Sequence, residues 1–396
     1  MTPKVLSKLK SAVLDKYVKI DIRDRKSVSR IIPKAINVPL QHLSTRHIEG
    51  KKILLISQND DNYDKVEAKL GGKREKSHGL YWLEGGMDGW NGETNLFTPQ
   101  PFVKTLFDEA TGTNQFIVVD DCTRRALIID SVLDFCKDSL KVSTRNADSI
   151  LDYVTKHELI VDAILETHVH ADHLTAAHYI KDMLWKASGK VVPIWIGRNV
   201  EQVQRHFGKF FEIEYESAVF DKLLSAGEKF ALGELECEIY DTPGHTPDSI
   251  SIRVGASVFV GDSIFLPDVG SARCDFPGGS AHDLYDSMKQ VLFKLPKDTL
   301  CFVGHDYPPE SERDPQAVVS IEEQLKGNKH INEKTTLDEF VNWRQGRDKT
   351  LGNPRLLFFA LQVNLRAGRL PGMTMEHPFL QPDYEGFFKV PFTMRK

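Results

Sequence analysis

Three imidazoles and a carboxylate fall within six residues at the end of the apolar run LIVDAILE, in Thr167-His168-Val169-His170-Ala171-Asp172-His173. Imidazoles two apart in an extended turn project from the same side. The Asp and His that follow, read as the start of a helix, can face a second position a few ångströms away. Three more candidate ligands close apolar runs further on: His245 after LECEIYDTPG, Asp262 after SVFVG and His305 after TLCFVG. Each reads as a strand running directly into a polar residue, and strand ends of layered α/β proteins are where sites assemble. Seven nitrogen and oxygen ligands provide one or two metal positions. Burying so many polar rings without a cation would be costly. The five cysteines are scattered and contain no CxxC pair, so any metal is held by nitrogen and oxygen. The other nine histidines read as surface or satisfied core residues.

The elements that must position these groups follow from the alternation of short aliphatic runs with helical patterns. With 396 residues the chain has room for two or three globular units. Residues 17–22, 52–57 and the LYWLEGG stretch read as strands, with a periodic helical segment around Val66 to Leu70, which describes a small α/β unit with a parallel sheet. Two prolines within Thr98–Pro101 mark a linker. Beyond it, FIVVD and ALIID form a hairpin, and helices are expected at 174–186, 199–207 and 283–295. Residues 311–396 start acidic and then carry a helical pattern from Leu356 to Leu365. The expected division is 1–98, 102–310 and a C-terminal extension, 311–396, packed on the second domain.

Charge changes at the same boundary: residues 1–100 hold 18 Lys/Arg against 12 Asp/Glu, and the remainder 33 against 44. Neither part has the basic, aromatic-interleaved footprint of a nucleic-acid binder. No apolar run reaches the 18 or so residues of a membrane span. The N-terminal stretch shows neither an apolar signal core nor an arginine-rich presequence, so cytoplasm is expected, with the mitochondrial matrix left open for a eukaryotic source.

In this order, THVHADH, DTPGHT, FVGD and VGHD resemble the metal motifs of the metallo-β-lactamase fold, an αββα sandwich of two sheets flanked by helices. ILETHVHADHLTAA, GSARCDFPGG (270–279) and GHDYPP resemble the persulfide (sulfur) dioxygenases, especially the bacterial β-lactamase hydrolase-like branch. NPRLLFFALQVNLRAGRLP (353–371) resembles the extension of that branch. The resemblance implies one Fe(II) at His168, His245 and Asp262, a two-His-one-carboxylate triad with open positions for sulfur and O₂. His170, Asp172, His173 and His305 would then orient ligands and water. A hydrolase of the same fold, of the glyoxalase II thioesterase type, would hold one zinc at His168, His170 and His245 and another at Asp172, His173 and His305, with Asp262 bridging. Every residue of both patterns is present.

The same resemblance places Arg273 near a thiol substrate such as glutathione persulfide, oriented by Asp275. Tyr307, two residues after His305, reads either as a catalytic candidate with its hydroxyl in the pocket or as a packing tyrosine with a solvated tip. The usual GCGRTDF of that family reads Gly270-Ser-Ala-Arg-Cys-Asp-Phe276 in this chain, with Ser271 for the cysteine and a new Cys274. KIDIRD, IIPKAINVPL and LEGGMDGW resemble the rhodanese fold, yet Gln58-Asn-Asp-Asp-Asn follows KILLIS where a rhodanese carries its cysteine, and no cysteine precedes Cys122. The expectation is therefore an iron-dependent persulfide dioxygenase fused to an inactive rhodanese-like domain. The alternatives are the dizinc thioesterase and a non-enzymatic sulfide or metal sensor; homodimerisation is carried over from the family.

Overall fold

The structure is a computed structural model, and it describes residues 4–6, 16–32, 35–44, 47, 52–59, 62–70, 79–90, 92, 94–211, 219–308, 313–373 and 386–390. The chain divides into two compact units. The first comprises residues 1–102 with 120–124 and 233–235; the second comprises 103–119, 125–232 and 236–396. Among the described residues no helix is long and apolar enough to cross a membrane.

In the first unit, β1 (Lys4–Leu6), β2 (Val18–Asp21), β3 (Ala35–Asn37), β4 (Lys52–Ile56) and β5 (Gly79–Leu83) form one sheet in the order β1-β5-β4-β2-β3, and α1 (Tyr63–Leu70) lies between β4 and β5 in the chain. Every pairing is parallel. A parallel sheet is covered on both faces, which is why KILLI reads as an unbroken apolar run. Ile53 and Leu55 join one core cluster while Leu54 and Ile56 join another, as the two-residue period of a strand requires. Strands β1 and β3 were not anticipated: three residues are too few to show a period. At the C-terminal end of β4 the backbone carbonyls of Ser57 and Gln58 accept from Met87 N and Asp88 N at 2.8 and 2.9 Å.

In the second unit, β6 (Phe102–Asp108), β7 (Thr113–Asp120), β8 (Arg125–Ile129), β9 (Val132–Cys136), β10 (Lys141–Ser143), α2 (Arg145–Lys156) and β11 (Ile160–Leu165) come first. There follow β12 (Leu174–Thr175), α3 (Ala177–Ser188), β13 (Ile194–Gly197), α4 (Val200–Phe211) and β14 (Lys222–Leu224). One six-stranded sheet runs β14-β13-β11-β8-β7-β6 and a small sheet runs β10-β9-β12. The remaining strands, β15 (Lys229–Leu232), β16 (Leu235–Asp241), β17 (Ile250–Val254), β18 (Ser257–Phe259), β19 (Leu300–Phe302) and β20 (Val318–Ser320), make the second six-stranded sheet in chain order. Phe116 of β7 packs edge-on against Phe259 and Phe302, at 5.2 and 5.7 Å between ring centroids, so the two sheets face each other across an aromatic core. Helices α5 (Ala281–Asp286), α6 (Ile321–Gly327) and α7 (Leu337–Asp348) contribute Leu284, Ile321 and Phe340 to a cluster with Val258 and Cys301 of β18 and β19. This is the αββα sandwich. Its last helix is α8 (Leu357–Asn364).

Two expected helices change on folding. The segment 174–186 begins as a strand, because Leu174 and Thr175 pair with Leu133 and Val132, and α3 starts only at Ala177. Asp172 and His173 therefore end a loop pinned between strands and do not open a helix. The segment 283–295 breaks into α5, a π-helical turn (Ser287–Val291) and a 3₁₀ turn (Leu292–Lys294). At the break Ser287 Oγ donates to Pro243 O at 2.7 Å, beside the turn that carries His245.

Candidate metal centre

The order of strands in the second sheet explains how the candidate ligands meet. β18 and β19 are parallel neighbours, and β16 runs in the same direction because it is separated from β18 by the antiparallel β17. Their C-terminal ends therefore lie along one edge and deliver His245, Asp262 and His305 there. From the facing sheet, β11 delivers the loop 166–173, joined to the second sheet where Ile250 N donates to Thr167 O at 2.9 Å. Two glycines let these strand ends approach. Gly261 has φ +50° and a Cβ there would collide with Thr167, and a Cβ on Gly304 would lie 2.8 Å from Asp262 Oδ1.

Candidate ligand atoms of His168, His245 and Asp262 all lie within 4.8 Å of one another, as do those of Asp172, Asp262 and His305, and those of His170, Asp172 and His173. His245 Nε2 stands 3.7 Å from Asp262 Oδ2, and His305 Nε2 stands 3.3 Å from Asp172 Oδ2 and 3.4 Å from Asp262 Oδ1. The structure thus brings together all seven residues expected from the sequence.

These groups fit a metal ion. His168 Nε2, His170 Nδ1, His173 Nε2 and His305 Nδ1 are buried and have no hydrogen-bond partner among the described residues. Leaving one such atom unpaired costs about 1–3 kcal/mol, and those of His168, His170 and His173, beside the Asp172 and Asp262 carboxylates, suit a cation. For His245 and His168 the second ring nitrogen is fixed, which sets the tautomer. His245 Nδ1 donates to Arg273 O at 2.8 Å, turning Nε2 inward. Thr167 Oγ1 spends its single proton on Asp130 Oδ2 at 2.8 Å, so it must accept from His168 Nδ1, 3.0 Å away, and His168 Nε2 keeps its lone pair. Burial, with His170 and His245 close by, holds His168 well below the usual imidazole pKa, in the neutral form that can bind metal. His170 behaves oppositely. Its Nε2 lies 3.1 Å from Asp130 Oδ1 and 3.3 Å from Glu166 Oε2, and against the effect of burial these carboxylates raise it well above the ordinary value.

A cavity of about 570 Å³ opens over Asp172, His245 and Asp262. Arg273 lines it, but its Nε and Nη2 donate to Asp275 at 2.6 Å each and its Nη1 to Gly352 O at 2.8 Å. Asp275 therefore grips Arg273, and the pair fastens the wall to the 349–352 turn. Tyr307 also lines the cavity, its ring parallel to that of His305 and edge-on to Phe265. Burial and the Asp172 and Asp262 carboxylates hold its hydroxyl above the ordinary value, so it stays protonated. Cys274, the residue new to the motif, is buried and its thiol is pushed up.

Several contributors went unread in the sequence. Asp130 and Glu166 are buried carboxylates behind the cluster, although Asp130 ends the strand ALII just as the motif residues end theirs. His330, read as an ordinary histidine, sits in the cavity wall, where Ser271 N donates to its Nδ1 at 3.0 Å and Trp343 packs on its ring. The cationic rim of Lys329, Arg347 and Arg355 comes from the C-terminal extension. Nothing in its local pattern marks it.

Comparison with known proteins places this architecture. The family described as the metallo-beta-lactamase superfamily matches residues 111–305. "Glyoxylase B2" of Dictyostelium discoideum is 43% identical over 266 residues, covering 66% of this chain and 89% of that protein. The human mitochondrial "Persulfide dioxygenase ETHE1" is 25% identical over 275 residues, covering 67% of this chain and 88% of that protein. Among solved structures, ETHE1 from Myxococcus xanthus superposes with a TM-score of 0.53 at 30% identity, over 68% of this chain and all of the other.

Proposed function

This chain belongs to the metallo-beta-lactamase superfamily, and we propose that it is a persulfide dioxygenase with one ferrous ion held by His168, His245 and Asp262. The observation that carries this reading is the gathering of those three groups, whose candidate ligand atoms all lie within 4.8 Å of one another. The similarity to proteins named ETHE1 supports it. Ferrous iron in a two-His-one-carboxylate triad supplies open positions and redox chemistry that zinc lacks.

The residues around the triad suit a thiol substrate with anionic carboxylates. Lys329, Arg347 and Arg355 rim the cavity, and Lys329 and Arg355 form no salt bridge among the described residues, so their charges face an incoming anion. Tyr307 offers a protonated hydroxyl in the cavity lining. With glutathione persulfide the balanced reaction is RSSH + O₂ + H₂O → RSH + SO₃²⁻ + 2 H⁺. The outer sulfur gives up four electrons, O₂ takes four, and the thiol leaves protonated. The double variant Lys329→Glu/Arg355→Glu is expected to raise KM for the persulfide about tenfold or more with kcat little changed, since these contacts act equally in ground and transition states. Steady-state kinetics at low salt checks this; an unchanged KM would place the substrate elsewhere.

Convergence of Asp172, Asp262 and His305 favours a second reading, a dizinc thioesterase, to which the glyoxalase-named relative lends weight. Reconstitution separates the two. Apoprotein reloaded without oxygen is expected to recover persulfide turnover at about one iron per chain, whereas recovery of thioester hydrolysis at about two zincs would favour the hydrolase.

For the remainder of the chain, we read residues 1–98 as a rhodanese-like domain without its nucleophile, 102–310 as the catalytic domain and 311–396 as an extension packed on it. The parallel sheet of the first unit and the loop Ser57-Gln58-Asn59 after β4 support the first assignment.

A further inference from the structure

The helix α8 ends in a polar residue where its apolar pattern predicts none. Asn364 lies between Val363 and Leu365 and is only 4% exposed. Its amide reaches the loop that carries the candidate ligands. Asn364 Nδ2 donates to His170 O and to His173 O, each at 2.8 Å, and Asn364 Oδ1 accepts from Thr175 N at 2.8 Å. An asparagine amide has two N–H donors and one carbonyl, and all three roles are filled here.

We propose that Asn364 is a positioning residue for the metal-binding loop: it bridges the carbonyls of His170 and His173 and so fixes the turn that presents Asp172 and His173. The inference rests on this loop binding metal, and it is independent of which reaction follows. Loop carbonyls three residues apart have no helix or sheet partner to hold them, so a single amide that spans both sets the turn. The helix itself is held from two other places. Gln204 Nε2 donates to Leu365 O at 3.0 Å, and Gln362 exchanges two bonds with the Lys389 backbone, at 2.8 and 2.9 Å. Asn364 is therefore an anchored point against which the loop is set, and the C-terminal extension contributes to the centre without supplying a ligand.

Asn364→Asp is the decisive variant, because it keeps the acceptor for Thr175 N, removes both donors and sets a charge against two carbonyl oxygens. The full-length protein, stripped of metal, is titrated with Co(II) against a chelator, and the cobalt absorption bands are recorded. Asn364→Asp is expected to bind Co(II) about 10- to 100-fold more weakly than wild type, with shifted bands. Gln362→Ala loosens the same helix without touching the loop, and is expected to keep wild-type affinity and bands within about twofold while losing apo-protein stability. Wild-type cobalt affinity and spectrum in Asn364→Asp would overturn the proposal, as would an equal loss of affinity in Gln362→Ala. Tight binding by wild type in the same titration establishes separately that the cluster takes metal.

Discussion

His245→Ala is expected to lose its metal and at least about three orders of magnitude in kcat/KM, or about 4 kcal/mol of transition-state stabilisation. The effect is this large because the imidazole has no substitute. Its Nδ1 is committed to Arg273 O, its Nε2 faces Asp262 at 3.7 Å, and the residue is only 8% exposed. Water entering the gap could occupy one coordination position but would carry no fixed orientation. Metal analysis of the purified variant and its steady-state kinetics check the two halves separately. Metal content equal to wild type would show that His245 is not a ligand. Metal lost with activity kept would show that the reaction is not metal-dependent.

Asp130→Ala is expected to destabilise the protein by about 3 kcal/mol or more even before metal is added, because breaking a buried charged pair leaves its partner uncompensated. Asp130 is 1% exposed and accepts from Thr167 N at 2.8 Å, Thr167 Oγ1 at 2.8 Å and His170 Nε2 at 3.1 Å. Removing the carboxylate leaves all three donors buried. Thr167 is then free to donate to His168, which permits the wrong imidazole tautomer and weakens the metal in turn. A fall of roughly 6 °C or more in the melting temperature of the apoprotein is the expected readout. A melting temperature unchanged within error would mean that water or Glu166 takes over these bonds.

The four motifs were readable because each places a polar residue where an apolar strand ends, and a strand end is a topological position as well as a sequence pattern. His168, His245, Asp262 and His305 meet for that reason. Asp130 obeys the same rule at the end of ALII, but it stands alone and lacks the neighbouring histidines that made the other sites conspicuous. Asn364 and the rim of Lys329, Arg347 and Arg355 lie 24 to 59 residues beyond His305, the last of the candidate ligands, and only packing of the extension brings them near. The helix boundary at 174–177 was misread for a related reason. LTAAHYIKDMLW carries a helical pattern throughout, yet pairing of Leu174 and Thr175 with β9 outweighs local propensity and holds His173 in a loop.

Arg273 illustrates the limit of reading a role from a motif. The residue stands beside the cavity as the resemblance implied, but its donors to Asp275 and Gly352 make it part of the wall. Lys329 and Arg355, cationic lining residues with no salt bridge among the described residues, lie outside the motif. For the same reason the departure at Ser271 and Cys274 changes the wall more than the centre: Arg344 Nη1 donates to Ser271 O at 3.3 Å, and Cys274 N donates to Asp348 Oδ2 at 3.0 Å, both toward α7.

The most direct test of the central claim follows dioxygen itself. Iron-loaded protein mixed with glutathione persulfide in a sealed cell is expected to consume about one O₂ for each sulfite released and to stop when oxygen is removed. Turnover that continues at the same rate without oxygen, on a thioester and with zinc bound, would contradict it.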